Sequence, residues 1–281
     1  MIFTSNTSDK LIKLLIHNIQ GLSFGSAQKS LRLGKVYVDG KRTKSNIDVS
    51  KGSTIELKEF KKSMPNVPEL YCDDNIIIVH KPAGIECATR DKSSDNTYSL
   101  EEIFANKNAI VVHRLDRLTE GIVILARTTE IARKFETYFR NRKINKFYKA
   151  VVSGNTQHII GKQTAYLKKN PKNALVEISS TEKPDFKEII TEIKSCQQCG
   201  NFSLLDIILH TGRTHQIRAH LSHLGHPILG DSKYGKENIV TPYKSYYLTA
   251  YKIEFSLNDD MQYLNNLHIE ITPSWIDKIP N

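Results

Sequence analysis

Apolar positions first recur at helical spacing at Leu11, Leu14, Leu15 and Ile19, and Ser8-Asp9 just ahead of them are N-cap residue types, so a helix is expected to begin there. A second helix is expected from Gly25 to Leu33, ended by Gly34 as its C′ residue. The pattern then switches to alternation in Lys35-Val36-Tyr37-Val38-Asp39-Gly40-Lys41, a strand that runs into an Asp-Gly hairpin turn. Thr54-Ile55-Glu56-Leu57 reads as another short strand. Two basic helices and a hairpin make a module of about 50 residues, near the lower limit for folding alone.

Phe60 to Pro68 is charged and twice interrupted by proline, which reads as a linker. The expected division is therefore a small module over 1–60, a linker over 61–68 and a large domain over 69–281. In that domain Ile76–Val79 is a buried strand ending at the turn Lys81-Pro82-Ala83-Gly84, and Ile110–Val112 and Ile122–Leu125 are short strands flanking a polar loop. Thr128 is placed to cap a helix carrying Ile131, Phe135, Tyr138 and Phe139 on one face. Phe147–Val152, Phe202–Leu209 and Tyr246–Phe255 are further strands. Many strands with few helices between them argue for an α+β fold rather than regular βαβ winding.

Composition narrows the classes. The 281 residues are 39% apolar and 25% charged, ordinary for a globular protein and unlike a disordered or collagen-like chain. The longest aliphatic run, Ile76–Val79, is far too short to span a membrane, and the first residues have no signal-peptide pattern. Four cysteines are too sparse for a disulfide scaffold, so a cytoplasmic protein is expected. The net charge of +10 is unevenly placed: residues 1–62 hold 12 Lys/Arg against 5 Asp/Glu, leaving the remainder nearly balanced. A basic module of this kind suits a polyanion, since Lys and Arg contacts to phosphate supply most sequence-independent affinity for nucleic acid.

Two stretches concentrate chemistry. Val112-His113-Arg114-Leu115-Asp116-Arg117-Leu118-Thr119-Glu120-Gly121 sets one carboxylate among two arginines and a histidine in a loop between apolar strands. Neighbouring cations keep such a carboxylate ionised, as nucleophilic or general-base chemistry requires, although a surface salt-bridge knot has the same composition. His210-Thr211-Gly212-Arg213-Thr214-His215-Gln216-Ile217-Arg218-Ala219-His220 follows a strand, turns at Gly212 and starts a helix near Thr214. His215, His220 and His223 invite a zinc reading, but the spacing is not that of HExxH and no acidic base lies between them. No metal is expected.

Taken in order, Lys81-Pro82-Ala83-Gly84, His113-Arg114-Leu115-Asp116 with Thr119 and Gly121, Lys146-Phe147-Tyr148-Lys149-Ala150, and Gly212-Arg213-Thr214-His215-Gln216-Ile217-Arg218 with Gly230-Asp231 resemble the motifs of the RluA-type pseudouridine synthases. The stretch Leu22–Lys41 resembles the S4 RNA-binding domain. The resemblance implies a pseudouridine synthase fold with a central mixed, mainly antiparallel sheet, preceded by a small α/β S4-like domain. It implies an isomerase that converts uridine to pseudouridine without a cofactor, because the departing uracil is retained, turned and rejoined through C5. Asp116 matches the essential aspartate, which attacks C1′ or removes a ribose proton once uracil leaves. Tyr148 matches the aromatic residue that stacks on the target base, Arg218 the arginine that pairs with the aspartate, and Arg114 an RNA contact. In the S4-like segment Lys29, Arg32, Lys35, Lys41 and Arg42 are the expected RNA-binding residues. The expected partner is ribosomal RNA of the large subunit, or an assembling ribosomal subunit, with tRNA as the alternative substrate; a non-catalytic RNA-binding protein is the other class, and neither DNA nor membrane is expected.

The chain departs from these patterns at four places. Phe24 stands where the S4 pattern often has Arg, and Ile12 where it often has Asp. Glu120 replaces the usual Ser after Thr119, and His80 replaces the usual Asn or Asp before Lys81-Pro82. Glu120 is expected to point to solvent.

Overall fold

The computed structural model describes residues 1–19, 22, 24–58, 64–88, 98–170, 175–235, 243 and 245–280. The chain divides into two compact units, one formed by Met1–Met64 and a larger one that begins at Pro65. This division falls within the stretch read as a linker, of which residues 60–63 lie outside the described residues.

The smaller unit holds β1 (Ile2–Thr4), α1 (Leu11–Asn18), α2 (Phe24–Arg32), β2 (Val36–Val38), β3 (Lys41–Thr43) and β4 (Thr54–Leu57). Its strands form an antiparallel sheet in the order β1-β4-β2-β3. Leu11, Leu15, Ala27, Leu31, Val36 and Ile55 form the core of this unit. The hairpin turns at Asp39-Gly40, both at positive φ, as a two-residue turn with the twist of the strands demands. Gly34 ends α2 in a left-handed conformation, with its own N–H on Leu31 O and that of Lys35 on Ser30 O.

Ser8 and Asp9 do not cap α1. Asp9 and Lys10 are paired antiparallel with Val49 and Asp48; Asp9 Oδ1 accepts from Lys10 N–H and meets Lys13 Nζ at 3.4 Å, and Ser8 Oγ accepts from Lys51 N–H. Instead Leu11 N–H donates to Ile47 O and Ile12 N–H to Asn46 Oδ1, each at 2.9 Å. The cap is tertiary and comes from 34 or more residues away.

The larger unit contains β5 (Glu69–Cys72), β6 (Ile76–Lys81), α3 (Leu100–Ile103), β7 (Glu120–Ala126), α4 (Thr129–Arg140), β8 (Ile144–Ser153), β9 (Gly161–Lys169), β10 (Val176–Ser179), β11 (Lys187–Cys199), β12 (Phe202–Leu209), α5 (Gln216–His223) and β13 (Leu248–Phe255). These strands lie in one sheet in the order β10-β9-β11-β12-β8-β13-β7-β6-β5, to which Ile110–Val111 and Ile269–Glu270 add short flanking pairs. β7 runs parallel to β13; the other described neighbours in the sheet are antiparallel. The unit is α+β, with a mixed and mainly antiparallel sheet.

Continuous apolar runs in β6 and β7 follow from burial on both faces. Ile77, Val79, Val123 and Leu125 enter one core with Tyr148, Ile217 and Leu221. Ile76, Ile78, Ile122 and Ile124 enter the other, against Ile131, Phe135 and Tyr138 of α4. Thr128 caps α4, its hydroxyl accepting from Ile131 N–H. Gly121 permits the parallel junction, because a Cβ there would lie 2.5–2.6 Å from Ala250. Among the described residues no helix is long and apolar enough to cross a membrane.

Candidate active site

On the first of these core faces, the loop between Val112 and β7, the β8 strand and the start of α5 enclose a cavity of about 550 Å³. Arg114, Asp116, Tyr148 and Arg218, separated by up to 104 positions in the chain, all line it. The basic residues expected to bind RNA in the N-terminal segment belong to the smaller unit. Among them Arg32 and Lys41 are exposed, whereas Arg42 donates from Nε to Gly34 O at 2.8 Å and from Nη2 to Leu33 O at 3.1 Å, capping the C-terminus of α2.

The turn carrying Asp116 is tethered on several sides. Thr119 N–H closes it on Asp116 O at 2.9 Å, and Gly84 N–H donates to Arg117 O at 2.7 Å. Beneath it Lys81, fully buried, donates from Nζ to Ile85 O, Arg117 O and Pro82 O at 2.9, 3.1 and 3.2 Å. Burial lowers the Lys81 pKa to about 8. Cys87 Sγ accepts from Leu115 N–H, Ser245 Oγ donates to Leu118 O, and the Thr119 and Tyr246 hydroxyls lie 2.8 Å apart. A turn held by this many bonds presents its carboxylate in one place.

Arg218 fixes that carboxylate. Its Nη1 donates to Asp116 Oδ2 at 2.8 Å, while Nε and Nη2 form a bidentate pair with Asp231 at 2.7 and 2.8 Å. Asp231 in turn accepts from the N–H groups of Lys233 and Tyr234. The guanidinium sits against the Tyr246 and Tyr234 rings, 4.4 and 5.2 Å from their centroids. Burial opposes its charge, but the Asp231 pair and the neighbouring negative groups outweigh that and hold its pKa above the ordinary value. A buried ion pair this well bonded repays its desolvation, and the planar fork of arginine makes the three-way geometry possible. Asp231 was visible in the sequence only as part of a motif; its position 13 residues beyond Arg218 gave no sign that it is the bidentate partner.

His215 stands beside them with φ +54°, a left-handed conformation uncommon outside glycine, at the N-cap of α5. Its Nδ1 is 2.8 Å from Tyr234 Oη and its Nε2 3.8 Å from Asp116 Oδ2. Burial lowers its pKa against the pull of Asp116, which favours the neutral ring. His113 is neutral too: burial drives its pKa to about 3, and its Nε2 accepts from Ile124 N–H. Tyr148 is 5% exposed, and burial next to the Asp116 charge raises its pKa. Its hydroxyl makes no hydrogen bond to the described residues.

The three histidines considered for zinc turn to different partners: His215 to Tyr234, His220 to Thr191 and His223 to Ser180. Among the described residues no three His, Cys, Asp or Glu side chains gather to hold a metal.

Glu120 does not point to solvent. It is 3% exposed, with Oε1 2.9 Å from His80 Nε2 and Oε2 accepting from Ser274 Oγ, Ser274 N–H and Thr249 Oγ1 at 2.8, 3.2 and 3.2 Å. The parallel β7–β13 pairing sets Glu120 opposite Thr249, and these polar partners offset the cost of its burial.

The model of the RNA pseudouridylate synthase family matches residues 75–223, a span that includes Asp116, Tyr148 and Arg218. The chain belongs to that family. It is similar to an RNA pseudouridine synthase of Chlorobaculum parvum, 32% identical over 248 residues that make up 82% of this chain and 76% of the relative. It is similar also to ribosomal large subunit pseudouridine synthase C of Rickettsia conorii, 29% identical over 88% of this chain and 89% of that one. In fold the synthase resembles human RNA pseudouridylate synthase domain containing 4, with a TM-score of 0.59 over 73% of this chain and 88% of that one, at 18% identity. The synthase is an isomerase that acts on RNA.

Proposed function

We propose that the synthase isomerises uridines of large-subunit ribosomal RNA in the cytoplasm, free or in an assembling subunit, with Asp116 as its catalytic carboxylate. The observation that carries the assignment is Asp116 Oδ2 at 2.8 Å from an arginine that Asp231 grips on its other edge. Cleaving N1–C1′ builds positive charge on the ribose, and a fixed carboxylate at the cavity wall stabilises it. C5 then bonds to C1′, C5 loses its proton and N1 gains one, so the reaction balances without an oxidant or a cofactor. Tyr148 is assigned to stack on the extruded uracil, and its unpaired phenol to help move the C5 proton. Arg114, exposed at the cavity rim, contacts the RNA around the target. Extruding the base from a duplex costs a few kcal/mol, so an unpaired or loop uridine is the cheaper target.

The ribosomal assignment draws on the Rickettsia conorii relative, named for the large ribosomal subunit, and on the basic N-terminal segment, read as S4-like with Lys29, Arg32, Lys35, Lys41 and Arg42 toward RNA. Tritium release from RNA labelled at uracil C5 tests it, because the product has the same mass as the substrate. Release from large-subunit transcripts, absent with Asp116→Asn, is the expected result. Release from tRNA transcripts alone would move the substrate to tRNA, and an active Asp116→Asn would remove the catalytic assignment.

A further inference from the structure

The wall of the same cavity carries a group of cations. The C-terminal end of α4 and the turn into β8 bring Arg140, Arg142 and Lys146 there, on the side of Phe139 and Gly212. None of the three cations makes an ion pair or hydrogen bond to the described residues. Arg142 occupies the C′ position of α4 at φ +55°, where its N–H donates to Phe139 O and that of Lys143 to Tyr138 O. Glycine is the default there, and an L-residue in that conformation is strained. Lys146 is half-buried, with Nζ 5.2 Å from the centre of the Phe139 ring and close to Gly212, where an added Cβ would come within 3.3 Å of the ammonium. Burial lowers its pKa to about 8. The left-handed arginine lowers the stability of the free protein, and an aromatic ring is a weaker counterpart than a carboxylate for a half-buried ammonium, so both positions keep cationic capacity facing the cavity.

Lys146 and Tyr148 are two positions apart on β8 and both line the cavity, which places their Cα atoms roughly 7 Å apart along one strand face. With the target uracil against Tyr148, a group at that spacing faces the backbone of the same nucleotide. We infer that Arg140, Arg142 and Lys146 form a phosphate-binding cluster for the RNA backbone flanking the target uridine, with Lys146 gripping the phosphodiester nearest the reaction. The inference rests on the proposed placement of the target uridine at Asp116 and Tyr148.

The test compares the wild-type protein with Lys146→Met and Arg142→Gly, using a nine-residue oligouridylate as probe over a series of salt concentrations, with thermal unfolding in parallel. Each variant is expected to bind several-fold more weakly and to lower the slope of log K against log salt by about 0.7, the value for neutralising one phosphate fewer on a single strand. Both are expected to unfold at the same temperature as the wild type or higher, and Lys146→Arg to keep the wild-type slope. Unchanged slopes and affinities for both variants would overturn the phosphate-binding cluster, as would affinity losses accompanied by equal losses of stability. Wild-type protein that binds the probe with these slopes but releases no C5 tritium from any RNA would instead count against the proposed placement of the reaction.

Discussion

His80 Nε2 lies 2.9 Å from Glu120 Oε1, so the two departures from the family pattern in the larger unit are partners of each other. One stands at the end of β6 and the other at the start of β7, neighbouring strands whose register pairs Ile122 with His80.

Glu120→Gln keeps the shape and most of the hydrogen bonds but removes the charge. It is expected to destabilise the synthase by about 1–3 kcal/mol at pH 7, measured by urea unfolding. Burial opposes the charge, but the bonds from His80 and Ser274 dominate and hold the Glu120 pKa below its ordinary 4.5. A carboxyl depressed in the folded state contributes its stability above the unfolded pKa and loses it as pH falls through the folded value. The part of the gap that the Glu120 charge supplies should therefore be lost as the pH falls below 4.5. A gap that is undiminished well below that pH would contradict the assignment.

Arg218→Lys retains a cation but cannot reach Asp116 and both oxygens of Asp231 together. Turnover is expected to fall by about 100-fold or more, the scale of a misplaced catalytic group, while RNA affinity stays within a few-fold of wild type. An equal loss in both would place Arg218 in binding rather than in positioning the carboxylate.

Tyr148→Phe preserves the ring and removes a hydroxyl that bonds to none of the described residues. Unfolding free energy is expected to stay within about 0.5 kcal/mol of wild type, the range of substitutions that disturb no packing or hydrogen bond. Single-turnover rates are expected to drop about tenfold or more, the scale of a missing proton-transfer contribution. Wild-type rates in this variant would leave stacking as the whole role of Tyr148.

Trp275→Ala removes a fully buried ring whose Nε1 donates to Thr249 Oγ1 at 2.8 Å and which meets the Tyr247 ring at 5.5 Å. A loss of about 3–5 kcal/mol is expected from the cavity. Calorimetry showing no loss would mean that residues 274–275 do not hold β13 and Glu120 in solution.

The parts of the fold legible in the sequence are those set by local pattern. Continuous apolar runs located β6 and β7 and period-3.6 spacing located α4, and the Thr128 cap and the Gly34 stop both need only a few adjacent residues to operate. Asp116 and Arg218 stand in the two densest stretches of the sequence, Tyr148 was singled out by the resemblance alone, and the fold brings all three to one cavity. What local reading missed is settled over long distances. Ser8-Asp9 has the right residue types for a cap, yet Ser8 accepts from Lys51 N–H and Asp9 is paired with Val49 instead. Glu120 looks like a surface residue until partners 40, 129 and 154 positions away are known. The grip of Asp231 on Arg218, and the αL arginine at position 142, leave no periodic trace.

The 154 residues between Glu120 and Ser274 also set an order in time. At about 5–20 residues per second a ribosome takes roughly 8–30 s to make that stretch. For that interval the nascent chain already has its aspartate loop but lacks the donors from residue 274 and the indole that backs Thr249. Vectorial synthesis thus makes this contact the last latch to close around β7. A message interrupted just before it yields a chain bearing every residue of the cavity wall, on a floor that has not been fastened.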